Sequence, residues 1–486
     1  MIICVMIMMM FVHSSCRKSM DELNINPNAP DQTNPDYLFT YSVYSGMGTY
    51  ITDVNLQYWN LQNWDMYFAT LGGVDAGKEY LANDGKDQYW KELYSRSLIN
   101  AHEVLRLTNN DPYLRNKNLL TQIWMTYLFQ QLTDLWGSIP YSNALKGYPD
   151  LNYSPSYDRQ QDIYTDLLIK LKNAAAELDA NKISFPGTSD PVYAGNIDRW
   201  RAFANSLRLR AAMRIRFSDP ARAQQEISDL QGKPMISLNS MNAIFPYNSD
   251  LHNPLFDLDN SGQSGGKTYP SKFLIDQLKS TNDPRIKVFA RYTTESLLIG
   301  APDYNGVPNL LPANDAAWNN YHSDGSNVSK IGSWFLRQDA PGMLMSYAEV
   351  CFLQAEASLL GWWNGNAQQL FADGVRANME SYSGSGLTTS EINNYVNALP
   401  TVSVENILRE KWISFTYQNG IEAYSEYRRT GFPVLTDYSG NPVNQTQFPK
   451  RLTYPSSEVS LNSINYHNAN AEQGPDIAST SVWWDQ

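Results

Sequence analysis

Two stretches of this chain repeat apolar side chains at helical period, and a chain that carries them has to pack helix against helix. In residues 119–145, LLTQIWMTYLFQQLTDLWGSIPYSNAL, the apolar positions fall at Leu119/Leu120, Ile123/Trp124, Tyr127/Leu128, Leu132 and Leu135/Trp136. That stripe predicts a core helix. It ends in Trp136-Gly137-Ser138-Ile139-Pro140-Tyr141, where Gly137 permits a left-handed cap and Pro140 blocks continuation. In residues 191–216 a second stripe is made by Trp200, Phe203, Ala204, Leu207, Ala211 and Ile215. Arg199, Arg201, Arg208, Arg210, Arg214 and Arg216 take much of the remainder, the pattern of an amphipathic helix.

Helical patterns dominate elsewhere too, at about 37–70, 88–108, 116–136, 158–179 and 197–217, separated by Asn110-Asp111-Pro112, Gly147-Tyr148-Pro149 and Phe185-Pro186-Gly187. From 218 to 340 the periodicity fails and turn residues take over, which predicts loops, a few short strands and one or two short helices such as 271–279. Helices resume at 342–361 and 367–381, a pair like one tetratricopeptide unit, and again at 404–430. After Gly431-Phe432-Pro433 the pattern reads as irregular to Gln486.

Charge excludes one function class. The net charge of −12 and a pI near 5.0 oppose binding to nucleic acid, which depends on Lys and Arg neutralising phosphates. Aromatics supply 13% of the 486 residues, with 31 Tyr and 13 Trp, more than a core needs, so some are expected at the surface. Residues 261–268, SGQSGGKT, nearly spell a phosphate-binding loop, but Ser261 stands where the first glycine belongs, no apolar strand precedes it, and Pro270 follows. A flexible loop is expected there. His102, His252, His322 and His467 are scattered without metal-ligand spacing. Loop carboxylates at Asp303, Asp315 and Asp324 have the oxygen chemistry of a calcium site, yet no metal or cofactor is expected. The letters Gly-x-Ser-x-Gly at 262–266 lack the preceding strand that a nucleophile elbow needs, no Cys-His nucleophile pattern occurs, and sequence spacing cannot single out a glycosidase carboxylate pair.

The three cysteines have separate fates. Residues 1–12, MIICVMIMMMFV, form an apolar run too short to cross a bilayer and suited to a signal-peptide core. Ser14 and Ser15 then lead to Cys16, as in a bacterial lipobox whose cysteine is lipidated and becomes the mature N-terminus. Residues 17–36, polar and rich in Asn and Pro, suit a tether. Cys351, inside an apolar helix, reads as a small core residue.

Taken together, the motifs resemble the SusD/RagB family of outer-membrane nutrient-binding lipoproteins. They are Leu132-Thr133-Asp134-Leu135-Trp136-Gly137 running into Ile139-Pro140-Tyr141, Trp200 to Ile215, Asn24 to Pro30, Met345 to Ala357, and Glu410-Lys411-Trp412-Ile413 leading to Glu426-Tyr427-Arg428-Arg429-Thr430-Gly431-Phe432-Pro433. The resemblance implies a mainly α protein, a tetratricopeptide-like α/α helical scaffold with a loop-rich subdomain. Its layout would be a signal peptide over 1–15, a lipidated tether over 16–36 and one domain over 37–486. Within that domain the scaffold covers about 37–217 and 342–435, the insert 218–341 and the irregular tail 436–486. It further implies capture of an oligomeric nutrient, most often a glycan, for a SusC-like TonB-dependent transporter, with the chain held by lipid on the outer face of the outer membrane. A peptide-binding member of the family and a secreted glycoside hydrolase are the alternatives.

Ligand contact is expected in the insert. Trp318, Tyr321 and Trp334 lie there among Asn, Asp and Ser, with Tyr292 and Tyr304 also in the insert. A pyranose presents an apolar face of C–H bonds to an aromatic ring, and its hydroxyls need partners, which Asp315, Asn319 and Asn320 would supply. The competing reading makes these aromatics a local mini-core and moves the site elsewhere, to Tyr80, Asn83 and Trp90.

Overall fold

The chain is described by a computed structural model over residues 33–47, 53–71, 83–147, 150–260, 268–443 and 448–485, and helices make up most of it. The first helix, α1 (Pro35–Gly46), opens on Asn34, whose side chain accepts from the Asp36 amide at 2.8 Å, with Pro35 in the first turn. Helices α2 (Asn83–Glu92) and α3 (Ile99–Thr108) are joined by a π-wound turn, Leu93–Leu98. Then come α4 (Arg115–Trp136), α5 (Gln160–Glu177), α6 (Ile197–Arg214) and α7 (Pro220–Asp229). Each packs on its neighbours, α3 on α1 and α4, α5 on α4 and α6. Trp124, Trp136 and Trp200 are fully buried among them, as their stripes predict.

After the insert, α9 (Tyr347–Leu359) and α10 (Ala367–Ser381) form a tight helix pair, where a Cβ on Gly374 would meet Phe352 Cε1 at 2.7 Å. Between them and α7 lies α8 (Lys272–Ser280) within the insert. The scaffold ends with α11 (Thr389–Asn397), α12 (Val404–Ser414) and α13 (Gly420–Thr430), the last closed by Gly431 in the left-handed region at φ 71°. Cys351 is buried in α9 as a free thiol. The fold is mainly α and of the tetratricopeptide-like kind.

Three short antiparallel ladders fasten the insert and the loops. Strands β1 (Phe68–Thr70) and β5 (Thr268–Pro270) pair with Phe68 opposite Pro270, and β2 (Ile139–Pro140) pairs with β3 (Tyr157–Asp158). The third pair, β4 (Ala243–Phe245) with β6 (Gly342–Met345), joins the point where the chain leaves the scaffold to the point where it returns.

Several expectations differ from what is observed. The helix expected over 37–70 stops at Gly46, and Asp53–Leu61 is wound as a π-helix before β1. The 404–430 helix is two helices, because Asn419 caps a new one through the Glu422 amide. Helix α7 continues the scaffold beyond 218 by packing on α6. The tail holds α14 (Ser456–Leu461) and α15 (Ser463–Gln473), whose Ser/Asn-rich sequences lack a strong apolar period. Gln473 ties α15 to the end of α4, donating to Trp136 O at 3.0 Å and accepting from the Ser138 amide at 2.5 Å.

The arginines of α6 depart furthest from expectation. Arg208, Arg210 and Arg214 are buried, and each binds carboxylates from other helices, Arg208 those of Glu226 and Asp229 on α7. Arg210 meets Glu349 of α9 at 2.6 and 2.7 Å. Arg214 donates to Glu422 and Glu426 of α13 at 2.6 and 2.9 Å and lies 3.5 Å from Asp134 of α4. Arg429 grips both oxygens of Glu356 at 2.9 Å, and Lys411 reaches Glu426. What reads as a charged outer face is an internal lock between α4, α6, α9, α12 and α13.

Candidate functional site

The outer part of the insert is built over a small apolar floor. Ala69, Tyr269, Val307 and Val328 are buried there, and Leu71, Trp318 and Tyr321 pack onto them half-buried. Tyr269 comes from β5 and Ala69 from β1, so the ladder between those strands positions the floor. Gly325, at φ 70°, lets its loop cross Tyr269, since a Cβ there would fall 2.3 Å from the phenol oxygen.

Asp315 opens a 3₁₀ turn, Ala316–Asn320, by accepting from the Ala317 amide at 2.8 Å. In such a turn residues three apart eclipse one another. Trp318 and Tyr321 therefore come together, with ring centroids 5.7 Å apart at 65°. The indole Nε1 of Trp318 donates to Pro312 O at 2.8 Å, which fixes the ring. Burial pushes the Tyr321 phenol above its ordinary value, the nearby Lys272 pulling it back, so the hydroxyl remains a donor at neutral pH. Asn319 and Asn320 are exposed beside the pair, and Asn327 Nδ2 donates to Asn320 O at 2.8 Å. The second Asp315 oxygen accepts from Tyr438 Oη at 3.3 Å, a partner from the distant tail that nothing in the local sequence announces.

Trp334 is not brought to this group. It is 9% exposed, with Nε1 donating to Ser383 O at 3.0 Å, rings of Phe335 and Tyr382 at 5.0 and 5.1 Å, and the Arg337 guanidinium 4.6 Å from its centroid. Its ring surface is used up by packing, which is the mini-core reading. Tyr292 and Tyr304 form a separate pair at 4.4 Å. Trp90 is buried against Trp136 at 5.1 Å, while Tyr80, the 261–267 stretch and Cys16 lie outside the described residues.

Where the scaffold meets the insert, a polar cavity of about 40 Å³ is lined by Gln57, Tyr89, Tyr127, Gln131, Tyr247 and Asn253, among others. That volume suits a few waters and no sugar ring. Among the described residues no cluster of three His, Cys, Asp or Glu has the geometry to hold a metal, and no helix is long and apolar enough to cross a membrane.

Residues 27–455 match the model of a family described as SusD-like, "starch-binding associating with outer membrane". The chain belongs to the SusD-like family. Solved structures agree in fold over almost their whole length. A chitin-binding protein is 28% identical with a TM-score of 0.83, over 93% of this chain and 100% of that one. A chitin-binding SusD homologue from Flavobacterium johnsoniae is 25% identical at TM-score 0.77, over 93% and 98%. A SusD homologue from Bacteroides uniformis is 26% identical at 0.75, over 93% and 99%. No curated protein matches the chain. The partly buried Trp318–Tyr321 pair is thus an aromatic surface held in place through Pro312, with the exposed amides of Asn319 and Asn320 beside it.

Proposed function

We propose that this protein binds an oligomeric glycan at the outer membrane without cleaving it, and delivers it to a SusC-like TonB-dependent transporter. The observation that carries the reading is the Trp318–Tyr321 pair, anchored through Pro312 and flanked by exposed Asn319 and Asn320. Asp315 orders the turn and offers acceptor oxygens at its edge. Further support comes from the chitin-binding relatives and from the family's description. The peptide-binding and hydrolase alternatives have no comparable observation in their favour.

Truncating a stacking ring is expected to cost about 2 kcal/mol, roughly thirtyfold in affinity. Calorimetry of Trp318→Ala with chitin and starch oligosaccharides measures this, with unchanged thermal melting as the control. Chromatography of the same incubations should recover the oligosaccharides intact. Wild-type affinity in Trp318→Ala would remove the pair from the site, and cleaved products would replace binding by hydrolysis.

Cys16 is the lipid attachment point in this proposal, and residues 17–33 are the tether, since Asn34 caps α1 and Pro35 and Asp36, expected in the tether, belong to that helix. Acyl chains supply the membrane affinity, since one chain alone holds weakly and several hold firmly. Cys16→Ala is therefore expected to leave the outer-membrane fraction, and detergent extracts of the wild type should yield the protein together with a TonB-dependent barrel. A fully membrane-bound Cys16→Ala protein would contradict the anchor, and repeated recovery of the wild type alone would contradict the partner.

A further inference from the structure

Helix α1 has an outward face unlike that of an ordinary surface helix. Its exposed positions are Tyr37, Tyr41 and Tyr44, at 74%, 48% and 37% exposure, and every other residue from Pro35 to Gly46 is buried or half-buried. Solvent-facing helix positions usually carry charged or small polar groups, because water gains nothing from an exposed ring. The one acidic residue of the helix, Asp36, is turned to Lys117 at 2.5 Å. The face is therefore aromatic and uncharged.

Spacing makes it a ladder. Positions i, i+4 and i+7 fall within about 60° of arc and span about 10.5 Å along the axis. Among the described residues the three phenols make no hydrogen bond, and Tyr37 and Tyr41 stack on no other ring. Tyr44 is steadied edge-on by Phe245 at 5.0 Å. Beneath the ladder the helix is held fast. Phe39 stacks on Phe185 at 4.0 Å, and the Ser42 hydroxyl donates to Ser97 O at 2.8 Å.

We propose that Tyr37, Tyr41 and Tyr44 form a second carbohydrate-contacting surface, on which successive rings of an extended, neutral glycan stack. The chemistry selects the occupant. A neutral ligand needs no counter-charge, its C–H faces match phenol π-faces, and its hydroxyls match free phenol oxygens. Another exposed apolar feature, Leu297-Leu298-Ile299, has aliphatic side chains with no π-face to offer a sugar, and it plays no part here. The proposal rests on the glycan-binding reading above and adds an outlying contact, which strengthens binding of long chains by raising the local concentration of their other segments.

The test uses the mature chain in native gels containing glycol chitin or soluble starch, alongside calorimetry with a chitin pentasaccharide. The triple variant Tyr37→Ala/Tyr41→Ala/Tyr44→Ala is expected to lose about tenfold in retention by the polymer that holds the wild type. Its pentasaccharide affinity should stay within about twofold. The triple Tyr→Phe variant, which keeps the rings, should retain most polymer binding. Trp318→Ala should weaken both readouts. Wild-type retention in the triple alanine variant overturns the inference while leaving the glycan reading intact, as does a loss matched by a lower melting temperature. A wild type that none of these glycans retains or binds overturns the glycan reading and this inference with it.

Discussion

Arg214→Ala is expected to destabilise the protein by about 3–5 kcal/mol, because removing one partner strands buried charges that have no access to water. Arg214 is completely buried and serves Glu422, Glu426 and Asp134 at once, so its loss leaves carboxylates of α4 and α13 facing one another. Replacing it together with a partner, as in Arg214→Met/Glu422→Gln, should recover part of the loss by removing the stranded charge. The deficit also has a pH signature. Burial pushes the Glu426 carboxyl up, but Arg429, Lys411 and Arg214 outweigh it and hold it well below its ordinary value. A depressed carboxyl contributes stability that is present above the unfolded value of about 4.3 and lost as the pH falls below it. The gap between wild type and variant should therefore narrow as urea unfolding is repeated from pH 7 to pH 3. A deficit below about 1 kcal/mol at pH 7 would mean that the lock contributes little to stability.

Trp200→Ala should cost a similar amount, about 3–5 kcal/mol, for a different reason. The indole fills the space between Phe39, Tyr193 and Phe203, with ring centroids at 6.1, 5.6 and 5.8 Å, so truncation opens a cavity where α1 meets α6. Its Nε1 also donates at 2.7 Å to Asp190, a buried carboxylate that collects the amides of Val192, Tyr193 and Gly195. Burial raises the Asp190 carboxyl and these donors lower it, so losing the indole raises it further. Trp200→Phe separates the two effects by keeping most of the volume and removing only the donor, at a cost of about 1–3 kcal/mol. Equal losses in the two variants, measured by denaturant unfolding, would show that packing is not the larger part.

Helix identity was written locally. The stripe Leu119 to Trp136 and the spacing Ala367 to Met379 placed α4 and α10 almost to the residue, because an apolar face at period 3.6 has no other way to be buried. Trp318 and Tyr321 meet across a short 3₁₀ turn, and their spacing of three residues agrees with that adjacency. Where sequence reasoning missed, the deciding partner lay far along the chain. The arginines of α6 have the same composition whether they face water or Glu349, Glu422 and Glu426, which lie well over a hundred residues away. Trp334 sits in polar surroundings in the sequence, yet Tyr382 and Ser383 close over it in space. Nothing in the sequence sets the tyrosines of α1 apart from those of the longer helix expected there, and only the packing of Phe39, Ser42 and Val43 inward shows which face is left outside. Local periodicity thus determined the long helices with a strong apolar stripe, such as α4, α6 and α10, but neither the end of α1, the helix α7 beyond 218, nor α14 and α15 of the tail. Burial of a charge or exposure of a ring depends on what another segment brings to it, and the tertiary structure alone decided that.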